Sequence, residues 1–445
     1  MTTKSLQINL AILGATGNVG RKFLEVLEER NFPVNNLKLL ASEKSVGKKI
    51  RFKEKEYAVE LATRDSFKDI DLVLASAGAT ISKELVPHAV KSGAVVIDNS
   101  SAYRMDKDVP LVVAGVNNYD VKKHKGIIAN PNCTTAQLVV PLKALHDLAG
   151  LKRVIVSTYQ SVSGAGKAAM DELTEQTKEY LNSVWAVSPC PKYNSKAINR
   201  KFAFNVVPHI DVFVEDGYTK EEVKVINETR KILGLPNLKI TCTAARVPVY
   251  IGHSESVNVE LEKSVTREQI INAFKNYGDI EVIDDPSNSK YPMAIDIAGT
   301  DPVYVGRIRE DKSNPNTFNM WIVADNLRIG AALNAVRIAE IVVRESLLLS
   351  KKPWYNNPLG AKMKFTDFSK FKDDFDRYMN LAKKGEDVIV TQKGKPILSL
   401  AGISKEDAED FILAKHYKLE KKSRDIESSS TKVHSHKEVK KRLGL

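Results

Sequence analysis

Residues 7–20 read QINLAILGATGNVG: a short apolar run, then Gly14, Gly17 and Gly20, before the segment RKFLEVLEER. The run predicts a buried strand over Gln7–Leu13, and the spacing of apolar residues after it predicts a helix over Arg21–Arg30. Leu37–Ala41 and Leu72–Ala75 read as further strands, Ser82–Ser92 as a helix and Ala94–Asp98 as a fourth strand. Short apolar strands joined by helices build parallel sheets covered on both faces, because each crossover must run back over the sheet. Residues 1–131 are therefore read as α/β, a Rossmann-type doubly wound sheet. Its ligands bind outside the carboxyl ends of the strands.

Glycines at such a turn let the backbone approach a pyrophosphate, whose charge then meets free N–H groups at the helix N-terminus. The spacing here is GxxGxxG rather than GxGxxG, and similar turns also occur without a ligand. After the second strand comes ASEKSVGKK (41–49). An NAD site wants a carboxylate there for the ribose hydroxyl, and an NADP site wants hydroxyls and a cation for the 2′-phosphate. Ser42, Lys44 and Ser45 fit NADP; Glu43 is the competing signal.

The chain has 445 residues, 43% apolar and 27% charged, enough for two or three domains with proper cores. No apolar run approaches the ~18 residues of a spanning helix, so no membrane role is expected. The N-terminus passes straight into a strand pattern without a signal-peptide core. Cys133, Cys190 and Cys242 are an odd, sparse set without metal-ligand spacing. They argue against a disulfide framework and a metal site, and suit the reducing cytoplasm. The net charge of +12 is uneven: residues 351–445 hold 22 Lys/Arg against 14 Asp/Glu, and the first 350 hold 45 against 41. A near-neutral body and a basic tail need separate explanations.

From about Leu151 the pattern becomes that of an α+β catalytic and dimerisation domain, placed over 132–324. Arg153–Gln160, Arg246–Tyr250 and Ser256–Leu261 read as strands, and Met170–Leu181, Lys220–Leu233 and Arg267–Lys275 as helices. The apolar-faced stretch 326–349 reads as one helix, so that 325–349 return to the first domain. SKKPWYNNPLGAK marks a linker over 350–362. A small α+β module follows over 363–403, with a helix over Phe368–Lys384 and two strands. Residues 404–445 read as a charged helix and then a tail polar enough to be disordered.

Four segments could carry chemistry. In IIANPNCTT (127–135), Cys133 sits where a helix over Thr134–Ala149 begins. Free amides and the helix dipole stabilise a thiolate there, lowering a pKa from roughly 8.5 toward about 3.5–7.5. Asn132 could donate to an oxyanion beside the sulfur. The alternative is a small buried hydrophobe, and Pro141 intrudes on the helix. In RVPVYIGHSE (246–255), His253 follows a strand and a glycine, where a loop-borne acid/base would lie, with Arg246 upstream. A lone His is more often a structural hydrogen-bonder and a lone Arg a surface charge. Ser163-Gly164-Ala165-Gly166 is a backbone loop leading into a helix, or an ordinary turn.

Taken together, GATGNVG, ASEKSVGK, LASAGAT, VIDNSSAYRM, GIIANPNCTTAQLV, YQSVSGAGKAAMDEL, EEVKVINETRKILG, RVPVYIGHSESVNVE and ADNLRIGAALNAVRIAE resemble the bacterial-type aspartate-semialdehyde dehydrogenases, in order over about 1–348. The resemblance implies NADPH-dependent reduction of L-aspartyl 4-phosphate to L-aspartate 4-semialdehyde and phosphate. That product feeds lysine, diaminopimelate, threonine, methionine and isoleucine synthesis. It implies Cys133 as the nucleophile forming a thioacyl intermediate, His253 as acid/base catalyst and Gln160 as the residue orienting substrate near the thiol. Arg246 would hold the α-carboxylate, Glu221 the amino group, and Arg104, Lys224 and Asn132 the phosphate. NADP would be touched by Gly14, Thr16, Gly17, Asn18, Val19, Ser42, Lys44, Ser45, Ser76, Gly78, Ser163, Gly164 and Asn326. The chemistry agrees: cations suit a phosphate leaving group, a planar guanidinium suits a carboxylate, and a thiol divides the reduction into acyl and hydride transfer. Two positions depart from the family, which commonly has Arg at Lys44 and Gln at Arg337. A homodimer or homotetramer is implied.

Residues 365–402 resemble the N-terminal module of the Phd/YefM antitoxins. This implies pairing through the module and DNA or toxin-protein binding through 363–445, with Lys393 and Lys395 as candidate DNA contacts. Two alternatives stand beside the dehydrogenase: an N-acetylglutamyl-phosphate reductase, which shares fold and cysteine logic, and a DNA- or toxin-binding regulator with an NADP-sensing body.

Overall fold

The computed structural model describes residues 7–182, 198, 200–349, 364–383, 388–392 and 395–400. The chain divides at Lys351/Lys352 into two units. Linker 350–362, Lys393 and the tail 404–445 lie outside the described residues.

The first unit opens with β1 (Ile8–Leu13), α1 (Asn18–Glu29) and β2 (Val34–Ala41), then β3 (Lys49–Phe52), β4 (Lys55–Leu61), β5 (Leu72–Ala75), α2 (Ala79–Lys91), β6 (Val95–Asp98) and β7 (Ile127–Ala129). They form a seven-stranded sheet in the order β3-β4-β2-β1-β5-β6-β7. Every pairing is parallel except β3 with β4. The chain runs from β1 to β2 on one side and later adds β5 on the other, so β1 marks the switch point where a cleft opens. β1 and β5 are buried on both faces, as expected of central parallel strands.

Three differences from the sequence reading have physical causes. α1 starts at Asn18, because Gly17 is its extended N-cap. The hairpin β3–β4 is too charged to read as a core strand; it is an edge that buries only alternate residues such as Ile50 and Phe52. The strand expected over Arg246–Tyr250 is instead the preceding stretch, ending at Arg246.

The rest of this unit comprises α3 (Cys133–Ala149), β8 (Leu151–Gln160), α4 (Lys167–Asn182), α5 (Lys220–Leu233), β9 (Lys239–Arg246), β10 (His253–Leu261), α6 (Arg267–Lys275), β11 (Ile280–Val282), α7 (Ala294–Ile297), β12 (Val303–Glu310), β13 (Thr317–Ala324) and α8 (Leu333–Arg344). Its sheet has six strands in the order β11-β12-β13-β10-β8-β9. α3 is apolar nearly all round, the pattern of a helix buried on every side. Its Leu138, Val139 and Leu142 belong to one continuous core with Ile12 and Ile97 of the first sheet and Val156, Val257 and Met320 of the second. The helix continues through Pro141.

The long helix expected over 326–349 is shorter and irregular. Arg328–Ala332 is a π-helical turn, and α8 ends at Arg344. α8 does pack on the first domain, where Arg30, the residue after α1, meets Glu340 at 2.7 Å. Among the described residues no helix is long and apolar enough to cross a membrane.

In the second unit, β14 (Lys364–Asp367) pairs parallel with β15 (Val388–Gln392), which pairs antiparallel with β16 (Lys395–Leu400). The expected single helix is two, α9 (Phe368–Asp373) and α10 (Phe375–Lys383), because Asp374 between them leaves helical geometry (φ −134°, ψ 48°). Phe371, Phe375 and Val390 form its small core.

Candidate active site

The cleft at the carboxyl end of β1 has two connected parts that share Ser76. The first is lined by Gly14, Thr16, Gly17, Ser42, Thr63, Arg64, Ser76, Ile81 and Glu84. Its glycines are required. Gly14 has φ +88°, and a Cβ there would lie 2.4 Å from the Ser76 carbonyl oxygen; one on Gly20 would lie 2.2 Å from the Gly14 oxygen. Gly17 faces the opening at the N-terminus of α1 and meets nothing closer than 3.5 Å. This cradle with free helix N–H groups fits a pyrophosphate. Ser45 is buried, with its hydroxyl 3.3 Å from that of Thr16, while Ser42, Glu43 and Lys44 are exposed. Lys44 and Asn18 are absent from the lining of both parts; the Asn18 amide points to the Met170 sulfur.

The second part brings together Val19, Gly78, Arg104, Asn132, Cys133, Gln160, Ser163, Gly164, Glu221, Lys224, Arg246 and Asn326. The register of the second sheet explains much of this. β8 and β9 run parallel and end side by side, pairing Gln160 with Arg246, and β10 begins at the same edge with His253. His253 is thus the first residue of a strand rather than loop-borne, and it is wholly buried.

Cys133 is the first residue of α3. The Asn132 side chain caps that helix, its Oδ1 accepting from the N–H groups of Thr134 and Thr135 at 3.0 and 3.4 Å. The Cys133 Sγ lies 3.2 Å from His253 Nε2. On the ring's other side the Ser161 N–H donates to Nδ1 at 3.0 Å. A backbone N–H can only donate, so Nδ1 keeps its lone pair and the neutral ring carries its proton on Nε2, facing the sulfur. Burial, and then the Arg246 charge, hold the imidazole well below its ordinary value, so it is neutral at pH 7.

The expectation of a lowered thiol pKa is corrected. Burial first and the Glu221 carboxylate second push the Cys133 thiol up to about 11, against the guanidinium groups of Arg104 and Arg246.

The charged groups fall into three sets. Arg104 is pinned: Nη1 meets Glu228 at 3.1 Å, while Nε and Nη2 donate to the carbonyls of Asn130 and Asn99. Glu228 also accepts from the Asn132 N–H at 2.7 Å, tying this guanidinium to the start of α3. Lys224 contacts Asp211 at 2.7 Å and Glu221 at 3.2 Å. Glu221 further accepts from the amides of Asn132 and Gln160, at 2.8 and 3.3 Å. This leaves one side-chain N–H of Asn132 open for the oxyanion that the sequence reading assigned to it. Arg246 donates from Nη1 to the Ser161 carbonyl at 2.6 Å and forms no ion pair among the described residues, although it is buried. A buried guanidinium without a carboxylate calls for an anionic ligand.

Sequence reasoning missed Asp211, Glu228, Ser161 and Gly330. A Cβ on Gly330, within the π-helical turn, would sit 2.7 Å from the Cys133 Cβ, so only glycine lets this turn floor the thiol. Arg337 is settled: it pairs with Asp279 at 2.8 Å and lies outside the lining of the cleft.

Comparison with known proteins matches residues 9–124 to "Semialdehyde dehydrogenase, NAD binding domain" and residues 142–329 to "Semialdehyde dehydrogenase, dimerisation domain". The chain is 55% identical over 342 residues to the aspartate-semialdehyde dehydrogenase of Aquifex aeolicus, covering 76% of this chain and 99% of that one. Among solved structures it resembles aspartate semialdehyde dehydrogenase II from Vibrio cholerae complexed with ASA (44% identity, TM-score 0.73, 77% of this chain and 99% of that one). It also resembles aspartate semialdehyde dehydrogenase with NADP from Candida albicans (26% identity, TM-score 0.60, 77% and 100%). These matches support the dehydrogenase reading of residues 1–349 over the reductase and regulator alternatives.

Proposed function

The chain belongs to the aspartate-semialdehyde dehydrogenase family, and from that membership we propose its reaction and the part each side chain plays. It reduces L-aspartyl 4-phosphate to L-aspartate 4-semialdehyde with release of phosphate. Arg246 receives the α-carboxylate that its unpaired guanidinium lacks, and Glu221 the α-ammonium; Gln160, between them, directs the reacting carbonyl toward Cys133. The Cys133 sulfur attacks that carbonyl, a C–S bond forms as the S–H bond breaks, and the C–O bond to phosphate breaks with its electron pair leaving on phosphate, which takes up the thiol proton. Arg104, Lys224 and the open N–H of Asn132 receive that charge. A nicotinamide cofactor in the glycine cradle, touched by Val19, Gly78, Ser163, Gly164 and Asn326, supplies the hydride. His253 holds the proton at Nε2 where the thioester oxygen gains charge, and the thiolate then departs from the hemithioacetal as the aldehyde forms.

We read the cofactor as NADP, because Ser42 lines the cradle and the exposed Lys44 cation follows two residues on, which suits a 2′-phosphate. The protein acts as a homodimer through residues 132–324, in a reducing cytoplasm that keeps Cys133 a thiol. For the second unit, the order strand, helix pair, strand, strand supports the antitoxin-like reading. A gel shift with DNA from upstream of the coding sequence, lost as salt rises, tests it.

The observation that carries the enzymatic reading is the 3.2 Å contact between Cys133 and His253 beside an unpaired Arg246. Phosphate-dependent NADP reduction with aspartate semialdehyde tests it. Wild type turns over, and Cys133→Ser loses several orders of magnitude because a serine hydroxyl does not ionise here. Equal turnover by the two proteins would overturn it.

A further inference from the structure

Lys224 carries more negative charge than it needs. Its ammonium meets Glu221, whose side chain is 7% exposed, and also Asp211, whose side chain is 30% exposed. Glu221 is fixed by two amides besides the lysine, and its proposed task is the substrate ammonium. Asp211 is held differently. It stands in a loop at φ 68°, a left-handed conformation that is uncommon outside glycine. Among the described residues, apart from Lys224, its carboxylate accepts only the N–H of the next residue, Val212, at 2.9 Å.

The charge balance of the cleft gives this arrangement a consequence. Arg104 is neutralised by Glu228, and Lys224 faces two carboxylates, so the cation meant for phosphate is already screened in the free protein. A phosphate that approaches Lys224 meets both carboxylates, and the more exposed, less bonded one, Asp211, is the one placed to give way. A phosphate and the Asp211 carboxylate beside the same ammonium repel each other.

We propose that Asp211 is a competing counter-ion for phosphate: it holds Lys224 in the free enzyme, yields it when the phosphoryl group binds, and reclaims it as phosphate leaves. Asp211 thus weakens phosphate binding and speeds its departure. It is a positioning residue, acting through Lys224, and the proposal rests on the reading of Lys224 as a phosphate ligand.

The test is Asp211→Asn in the full-length protein, with inorganic phosphate binding followed by isothermal titration and the phosphate KM by semialdehyde oxidation. An ion pair this exposed has a modest coupling, so the dissociation constant and KM for phosphate should both fall, by about three- to fivefold. The KM for aspartate semialdehyde should move less than the phosphate KM. Asp211→Glu, which restores a carboxylate, should bring phosphate affinity back toward wild type. A structural role for Asp211 predicts the opposite sign: losing the carboxylate would leave Lys224 misplaced and weaken phosphate binding. Weaker or unchanged phosphate binding in Asp211→Asn would overturn the proposal while leaving the enzymatic reading intact. A wild-type protein inactive on aspartate semialdehyde would instead remove the reading beneath it.

Discussion

Replacing Gly330 by alanine adds one methyl group beneath the nucleophile, and the structure fixes where it goes. The new Cβ would lie 2.7 Å from the Cys133 Cβ, 2.9 Å from its Cα and 3.1 Å from its carbonyl oxygen. Ordinary contact between such atoms is about 3.5–4.0 Å, so one side must retreat by roughly 1 Å. The π-helical turn cannot do so freely, because Arg328 within it is anchored to Glu29 of α1 and to Asp301. Cys133 and the capped start of α3 must therefore shift, and the 3.2 Å contact with His253 is altered. Overpacking of this kind costs about 1–3 kcal/mol, and a 1 Å misplacement of a reacting group costs about 10²-fold in rate. Steady-state oxidation of aspartate semialdehyde and scanning calorimetry read the two effects. Gly278→Ala serves as the control, because a Cβ there meets nothing within 4 Å. A Gly330→Ala enzyme with kcat within threefold of wild type would refute the reasoning, since it would show that the thiol tolerates displacement.

Two further predictions concern buried carboxylates. Removing the Glu221 charge by Glu221→Gln takes away the second largest cause of the raised Cys133 thiol, so its pKa falls from about 11. More thiolate then exists at pH 8, and alkylation by iodoacetamide accelerates, roughly tenfold per pKa unit; an unchanged or slower rate contradicts this. Glu255 lies wholly buried, and burial, against the opposing Gln137 amide, raises its pKa well above the ordinary value. Between the ordinary carboxylate range and that raised value the folded protein holds a proton that the unfolded chain has lost, so stability falls as pH rises through this window. Glu255→Gln lacks the effect, and its Tm advantage over wild type should grow from pH 5 to pH 8. Parallel Tm curves would contradict it.

What the sequence made legible followed from strong local periodicity. β5, α5 and α6 were readable to the residue because their apolar spacing and end signals agree; Thr219 and Thr266 cap α5 and α6 with full capping boxes. The glycine cradle and the position of Cys133 at a helix start were readable for the same reason. His253 was misread as loop-borne because Gly252 before it looks like a loop residue, yet β10 starts immediately after. The partners of the catalytic groups were not legible. Glu228 reaches Arg104 across 124 positions of chain and Asp211 reaches Lys224 from an irregular loop, so no local pattern announces either. The raised thiol pKa was missed because a helix N-terminus can be seen in sequence and the burial surrounding it cannot.

The central claim is that the Cys133 sulfur becomes acylated, and intact-protein mass spectrometry reads this directly. Wild-type enzyme given aspartate semialdehyde and NADP without phosphate should gain one aspartyl group, located on the peptide carrying Cys133 and released when phosphate is added. An enzyme that turns over while that peptide stays unmodified, or a Cys133→Ser protein that acquires the same adduct elsewhere, would contradict the account.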